Sequence, residues 1–155
     1  MNTDFRFVPI ERETFESVMS DGNALPSTAR WLKVDEAPGF PCRVSLRDAD
    51  IGEAVLAIDF EHHAVESPYR ARGPIFVRSN AETAKPKVNE IPVMFHHRQL
   101  SVRGYDENAM MIAAAVTRGD KLEETIRGFF ENPAVRYLHL HNAGPGCFNC
   151  VVRRA

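Results

Sequence analysis

Cysteine is scarce in this sequence: there are three among 155 residues, an odd number that internal disulfides cannot fully use. Secreted domains stabilised by disulfides are much richer in cysteine, so a reducing cytoplasm is the expected location. Apolar runs long enough to cross a bilayer are absent. Residues 1–10 also lack the basic start and apolar centre of a signal peptide, so we expect no association with membranes.

An excess of one charge is missing too. The formal net charge is −2, and acidic and basic residues are mixed along the chain. Proteins that bind nucleic acids usually concentrate basic residues on one face, so nucleic acid is not an expected partner. Hydrophobic residues make up 44% and charged residues 26%, the balance of an ordinary globular protein. The length predicts a single domain over residues 1–155.

The signature motifs of large enzyme families are also absent. There is no glycine-rich phosphate loop, dinucleotide-binding fingerprint, zinc-protease motif or nucleophile elbow. The sequence therefore predicts no cofactor, and it leaves open whether the protein is an enzyme.

What is present is a series of short alternating segments, each typical of a half-buried strand. Helical patterns occur twice, at 11–19 before Asp21-Gly22-Asn23 and at 120–131 before Asn132-Pro133. This pattern predicts an α+β fold, a mostly antiparallel sheet with two helices packed against it. The expected strands are 5–10, 43–46, 54–60, 75–78, 100–105, 110–117, 135–142 and 147–153.

The second helix has the clearer signals. Asp120 and Glu123 are spaced as in a capping box, in which each side chain bonds a backbone N–H at the helix start. One face carries an apolar stripe that should pack on the sheet. The stripe consists of Leu122, Ile126, Phe129 and Phe130.

Residues with chemical potential cluster in the last hairpin, which reads His-Leu-His-Asn-Ala-Gly-Pro-Gly-Cys-Phe-Asn-Cys from 139 to 150. We expect residues 143–146 to form a four-residue loop, and this loop length sets the register of the hairpin. The register predicts three cross-strand pairs: Asn142 with Cys147, His141 with Phe148, and His139 with Cys150.

The tip of this hairpin is the strongest candidate for a ligand site. Glycines allow a ligand to approach the backbone closely, and loops held by a rigid sheet commonly carry function. Asn142 can both donate and accept hydrogen bonds. The candidate residues are Asn142, Gly144, Gly146 and Cys147. A purely structural role for the same residues is the alternative.

Zinc binding is another alternative, because His139, His141, Cys147 and Cys150 are suitable ligand types. In a regular strand, however, the two cysteines lie on opposite faces and roughly 10 Å apart. That separation prevents chelation or a disulfide unless the tip bends. A redox pair is not favoured either, since the cysteines do not begin a helix. The plainest interpretation makes Cys150 a small buried apolar residue, and no metal site is favoured.

Cys147 follows the turn glycines, so its thiol could be exposed and act as a nucleophile beside an imidazole. The histidines of its own hairpin point to the other face. The imidazole would have to come from His62-His63 or His96-His97. Both tandem pairs are otherwise expected to be solvated, since adjacent strand residues point in opposite directions.

Two arginines lie in otherwise apolar strand segments, Arg78 in Gly-Pro-Ile-Phe-Val-Arg and Arg103 in Ser-Val-Arg-Gly-Tyr-Asp. Ser101, Arg103 and Tyr105 alternate onto one face of their strand. Such a row could line a pocket for a carboxylate or phosphate, which arginine binds in a bidentate manner. The alternative is a solvated sheet face in which acidic residues such as Glu53 pair with the arginines.

Three segments, at 73–78, 100–106 and 141–148, together resemble a family of uncharacterised bacterial proteins of about this length. The family is catalogued as a domain of unknown function with the number 1203, and the resemblance covers nearly the whole chain. It implies a free-standing bacterial domain, and it carries over no catalytic residue.

Two classes of function remain open. The first is a protein or enzyme that binds a small anionic molecule, with a site formed by Arg78, Arg103, Tyr105 and the hairpin tip. The second is a non-catalytic interaction module or homodimer, supported by exposed strand edges and a helix rich in phenylalanine. Zinc binding through the hairpin is a third alternative.

Overall fold

The structure is a computed structural model that describes residues 3–20 and 24–155. The described residues form eight strands and two α-helices, α1 (Glu16–Met19) and α2 (Leu122–Phe130). A 3₁₀ turn precedes each helix, at Arg12–Phe15 and Gly119–Lys121, and a third lies at Val93–Phe95. The strands are β1 (Phe5–Val8), β2 (Ala29–Lys33), β3 (Ala54–His63), β4 (Ala71–Arg78), β5 (Gln99–Tyr105), β6 (Met111–Arg118), β7 (Tyr137–Asn142) and β8 (Phe148–Arg154).

The strands form two sheets. The larger sheet has five strands in the order β1-β8-β7-β5-β6, and the smaller has the order β2-β3-β4. Every pair of neighbouring strands in these sheets is antiparallel. The predicted α+β class, dominated by antiparallel pairing, is therefore confirmed, and the strands divide between two sheets.

Helix α2 packs on one face of the five-stranded sheet. Leu122, Ile126 and Phe130 are buried there, and Phe129 is partly buried, so the predicted stripe is confirmed. Burying each such side chain contributes about 2 kcal/mol to folding. The predicted capping box is wrong, because the chain passes from β6 into a 3₁₀ turn and α2 begins after Lys121 without a side-chain cap.

The other face of the large sheet meets the small sheet. Phe148 from β8 packs in a core cluster with Leu56, Ile75 and Val77 from β3 and β4. Phe15 joins this cluster from the turn before α1. Residues 21–23, expected to end the first helix, lie outside the described residues. The hairpin at the end of the chain thus has the helix layer on one side and the second sheet on the other.

Two sequence predictions about local structure are wrong. Residues 43–46 do not form a strand: the N–H of Leu46 bonds to the carbonyl of Cys42, and Leu46 has a φ of 54°. Strand β2 was not predicted, because four of its five side chains are exposed and no alternation marks it. Arg43, Val44 and Leu46 are buried although they form a turn, whereas β2 is an edge strand, where burial imposes little pattern on the sequence.

The β7–β8 register confirms one part of the predicted hairpin and overturns another. Asn142 donates its N–H to the carbonyl of Cys147, and His141 pairs with Phe148, as expected. A β-bulge then shifts the register, so that Leu140 pairs with Cys150. The predicted pairing of His139 with Cys150 is therefore wrong. Asn149 is the additional residue of the bulge.

Candidate functional site

A cavity of about 440 Å³ lies beside the tip of the β7–β8 hairpin. Its wall is built from the hairpin tip, the first half of β4, the end of β3 and the segment that leads to Arg43. Among the described residues that form this wall, none is acidic. The residues that line the cavity are Gly39, Pro41, Arg43, His62, Arg72, Gly73, Pro74, Phe76, Asn142, Pro145, Gly146, Cys147 and Phe148.

Arg43 is the unusual member of this wall, because its side chain is 0% exposed. Its Nε donates to the carbonyl of Phe148 at 2.7 Å, and Nη1 donates to the carbonyl of Pro41. Its Nη2 donates to the sulfur of Cys147 at 3.3 Å. Within the described residues, no carboxylate forms an ion pair with Arg43. Burial lowers its pKa, and the nearby Cys147 opposes that shift.

Two asparagines hold the other side of Cys147. Asn142 donates from Nδ2 to the sulfur at 3.0 Å. Its Oδ1 accepts from Nδ2 of Asn149 at 2.7 Å. Asn149 is fully buried because the bulge turns it inward. This chain of amides fixes the orientation of Asn142 and directs its N–H groups towards the thiol.

The loop between the two strands is fixed by local hydrogen bonds. The N–H of Gly146 bonds to the carbonyl of Asn142, and Gly146 has a φ of 84° that disfavours any other residue. His141 Nδ1 donates to the carbonyl of Gly146 at 2.9 Å. Gly144 is exposed, does not line the cavity, and is not in this conformation. The loop therefore holds Cys147 at the cavity wall.

Arg78 lies away from the cavity. Its Nε donates to both carboxylate oxygens of Glu53, at 3.1 and 3.0 Å, and the pair is largely buried between the end of β4 and the turn before β3. Its charge is thus already compensated within the protein. The structure therefore has the ion pair of the alternative interpretation, in which Glu53 pairs with this arginine.

Arg103 and Tyr105 share one face of β5, as predicted, but they do not line the cavity. Arg103 donates from Nε to the hydroxyl of Ser101 at 3.2 Å. Tyr105 stacks on Tyr137, with ring centroids 5.3 Å apart, and lies 5.1 Å from His139. Both residues therefore border a second group of side chains, next to the cavity.

This second group is a histidine cluster, formed by His62, His63, His139 and His141 between the two sheets. His62 stacks on Phe148 with the rings 5.0 Å apart. The prediction that His62 and His63 are solvated is wrong, since His63 is 3% exposed. The end of β3 lies over β7, and its two histidines fill the space between the sheets.

Three imidazoles of the cluster, those of His62, His139 and His141, are uncharged at neutral pH. Burial lowers the pKa of His62 to about 4, of His139 to about 2 and of His141 to about 3, and neighbouring charges reinforce each shift. One buried nitrogen of each of these rings has no partner among the described residues. His63 is bonded at both nitrogens, to the carbonyl of Tyr69 and the hydroxyl of Tyr137.

The four residues of the zinc alternative do not converge. His139 and His141 lie in the cluster, Cys147 faces the cavity, and Cys150 is buried on the opposite face of the sheet. The Cys150 thiol donates to the carbonyl of Val8 at 3.3 Å. Within residues 3–20 and 24–155, no three histidine, cysteine or acidic side chains are arranged to hold a metal ion.

Sequence reasoning missed Arg43 and Arg72 as wall residues, and it named His62 only as one possible imidazole partner of Cys147. The signal for Arg43 was the same one that singled out Arg78 and Arg103, an arginine flanked by apolar residues. Its segment was expected to be a short strand, and no site residue was sought in it. His62 carries no local signal that separates a buried from a solvated histidine.

The fold and the cavity define a class: an α+β protein of two stacked antiparallel sheets, with a buried arginine at a hairpin cavity that has no carboxylate partner among the described residues. The chain belongs to a family described as "Protein of unknown function (DUF1203)", whose model matches residues 39–154. The family resemblance stated from three motifs is therefore confirmed. No curated protein and no solved structure gives a match. No helix in the described part of the chain is long and apolar enough to cross a membrane.

Proposed function

We propose that this protein binds a small anionic molecule in the hairpin cavity, as an enzyme or as a binding protein. The observation that carries the proposal is Arg43, a fully buried guanidinium without a carboxylate partner among the described residues. Burying a charge without a counter-ion costs several kcal/mol. A protein that keeps such a charge beside a cavity gains from it when an anion binds there.

Arg43 acts on a ligand mainly through its electric field, because it is shielded from solvent. In a site of low dielectric, a charge a few ångströms away attracts an anion much more strongly than it does in water. Asn142 adds an amide N–H donor at the same wall. Arg72 lies at the rim, but its charge is shared with Asp59 and Glu61.

A second cleft, of about 450 Å³, supports this function less well. It is lined by residues 96–99 and 118–120, and its charged groups already have partners. Arg98 and His97 both bond to the carboxylate of Asp48. The cleft therefore offers no uncompensated buried charge to a ligand.

Small anions are expected to raise the unfolding temperature of the protein by about 8 °C at saturation, since a ligand at 100 times its Kd stabilises by about 2.7 kcal/mol. Thermal-shift measurements with phosphate and short-chain carboxylates, against chloride at equal ionic strength, test this. Arg43→Gln should abolish the shift. Arg103→Ala, which removes an arginine outside the cavity, should preserve it.

If Arg43→Gln does not fold, Cys147→Asp is the substitute, because it places a fixed carboxylate beside the buried guanidinium. This variant should fold and lose the response to anions, whereas Cys147→Ser should keep it. Equal responses of Cys147→Asp and Cys147→Ser would contradict the proposal, as would a wild-type protein that responds to none of the anions.

The edge of β6 supports a second candidate function, homodimeric assembly. β6 is an edge strand of eight residues, and the sequence from 108 to 117 carries no charge. Ile112 and Val116 are exposed on it, Val116 by 62%. Edge strands without charges pair readily with another chain, and antiparallel pairing of two β6 strands along residues 113–117, beyond the bulge at Ile112, would satisfy a two-fold axis.

Light scattering during size exclusion is expected to give twice the chain mass of 17.4 kDa if β6 forms this dimer. Val116→Lys should then convert the dimer to a monomer, because a charge on the edge opposes pairing. Ile51→Lys is the matched control, since Ile51 is 68% exposed in a turn elsewhere. A wild-type mass of one chain at the highest concentration would rule out the dimer.

A further inference from the structure

The hairpin cavity has a mostly apolar wall. Prolines and phenylalanines contribute most of its side-chain surface, and glycines contribute backbone alone. The apolar side chains are those of Pro41, Pro74, Phe76, Pro145 and Phe148. Apolar surface strengthens binding when a ligand removes it from water, and only an apolar part of a ligand does so without losing hydrogen bonds. The wall therefore favours an anion with an apolar body over a bare inorganic anion.

The size of the cavity supports the same choice. Its volume of about 440 Å³ lies in the range of pockets that hold organic ligands, roughly 300–1,000 Å³. Acetate and phosphate are much smaller than this space, so they would leave most of the apolar wall in contact with water. A ligand with one ring covers more of it.

The wall also presents flat aromatic surfaces next to the buried charge. Phe148 stacks on His62, with ring centroids 5.0 Å apart and planes 7° apart. Phe76 comes from the other sheet, and its ring centre lies 5.7 Å from Cζ of Arg43. Arg43 also donates to the carbonyl of Phe148, so its guanidinium lies close to both phenylalanines. Rings pack well on aromatic surfaces of this kind, so a ligand ring and its anionic group can be bound side by side.

The charges around the cavity indicate how many negative charges the ligand carries. Arg72 at the rim bonds to Asp59 and Glu61, and Glu61 also bonds to Arg70, so these four charges cancel. The buried charge of Arg43 is left without a carboxylate partner among the described residues. A phosphate group carries about −1.5 to −2 at pH 7, and its second charge would meet no cation in a site of low dielectric. A single carboxylate matches the single buried cation.

Open space for a ring lies beside Gly73. This residue lines the cavity from β4 and shares a strand face with Ile75 and Val77, which are buried between the sheets. A Cβ atom at Gly73 would meet nothing within 4 Å. A larger side chain at this position would therefore occupy space that a ligand ring can fill.

We infer that the ligand of the hairpin cavity is an aromatic monocarboxylate, an inference that rests on the proposed function. The field of Arg43 attracts the carboxylate. Asn142 donates one N–H of its Nδ2 to Cys147, which leaves the other N–H for the carboxylate. The ring packs beside Gly73 against the apolar wall. A bare anion meets the first of these conditions alone, and a neutral aromatic compound meets the last alone.

Four probes separate these conditions: benzoate, acetate, inorganic phosphate and benzyl alcohol, which has the ring of benzoate without its charge. NMR titrations of the protein at pH 7 and constant ionic strength measure each Kd. Benzoate should bind at least tenfold more tightly than acetate, because burying about 60 Å² of apolar surface accounts for tenfold in affinity. It should also bind at least tenfold more tightly than phosphate and benzyl alcohol.

The outcomes distinguish this inference from the proposed function. If acetate or phosphate binds as tightly as benzoate and Arg43→Gln abolishes binding, the proposed function stands and the aromatic ligand class is wrong. If none of the three anions binds, or if Arg43→Gln binds them as the wild type does, both are wrong. Benzyl alcohol binding as tightly as benzoate would also contradict both, because the cavity would not select for charge.

Gly73→Val tests the position of the ring without changing Arg43. Valine suits a strand better than glycine, so the variant should fold, and its side chain should fill the space beside β4. Benzoate should then bind at least tenfold more weakly, and its preference over acetate should fall. Ala54→Val adds a valine side chain at an exposed position of β3 outside the cavity and should leave both affinities unchanged. An unchanged ratio of the benzoate and acetate affinities in Gly73→Val would overturn the inference.

Discussion

Acidification from pH 7 to pH 5 is expected to lower the free energy of unfolding by about 4 kcal/mol, through His139 and His141 alone. Burial depresses the pKa of these imidazoles to about 2 and about 3, whereas in the unfolded chain histidine titrates near 6.5. Below pH 6.5, His139 and His141 therefore bind protons in the unfolded state and stay unprotonated in the folded state. The contribution of the two neutral imidazoles to stability is fully present above pH 6.5, and it falls progressively as the pH drops towards 3.

His62 adds to the loss of stability at low pH, since its pKa is lowered to about 4 by burial and by neighbouring charges. A loss of about 4 kcal/mol is a large part of the stability of an ordinary domain. On acidification, the protein is therefore expected to unfold cooperatively at a pH well above the pKa values of the buried imidazoles.

Urea unfolding at pH 7, 6 and 5 measures this dependence directly. His139→Leu removes one titrating group from the cluster and should reduce the loss between pH 7 and pH 5 by about 2 kcal/mol. His96→Gln, at an exposed position, should leave the dependence unchanged. Equal stability at the three pH values would show that the cluster is hydrated or rearranged in solution.

Gly119→Ala is expected to destabilise the protein by at least about 3 kcal/mol, because no space exists for a methyl group there. A Cβ atom would lie 1.9 Å from the carbonyl oxygen of Phe95 and 2.6 Å from backbone atoms of His96. These neighbours are backbone and cannot rotate away. Gly119 is also tied by its N–H to the carbonyl of Arg98, at the passage from β6 to α2.

Gly128→Ala is the matched control for this substitution. Gly128 lies within α2, and a Cβ there would meet nothing within 4 Å. Alanine is better than glycine in a helix interior by about 1 kcal/mol, so this variant should be more stable. Urea unfolding of both variants checks the pair, and a similar change in the two would contradict the packing argument.

The fold was predictable where burial imposes a pattern on the sequence. The alternation in β3 and β5 and the stripe of Leu122, Ile126 and Phe130 correctly located elements that face a core. β2 was not predictable, since it contributes exposed side chains such as Trp31. The division into two sheets was not predictable either. The alternation within a strand indicates which of its faces is buried, but it does not indicate which other strand pairs with it.

The candidate site was predictable only in its local part. Asn142, Gly146 and Cys147 were identified from the hairpin, and they do line the cavity. Arg43 reaches the hairpin across 105 positions of sequence, so its contact with the carbonyl of Phe148 has no local signal. The arginines that sequence reasoning preferred, Arg78 and Arg103, are bonded to protein groups outside the cavity wall.

The bulge at Asn149 has a consequence for how the hairpin tolerates change in length. The bulge shifts the alternation of side chains between the two faces by one residue. The tip of the hairpin follows one alternating pattern and the remainder of β8 follows the other. Deleting Asn149 would remove the bulge without reversing any face, because Phe148 and Cys150 would become adjacent and still pair with His141 and Leu140. Deleting Val151 instead would bring Val152 beside His139 and move Arg153 into the apolar layer beneath α2. A deletion at the bulge is therefore a local event, whereas the same deletion further along β8 changes both faces of the strand.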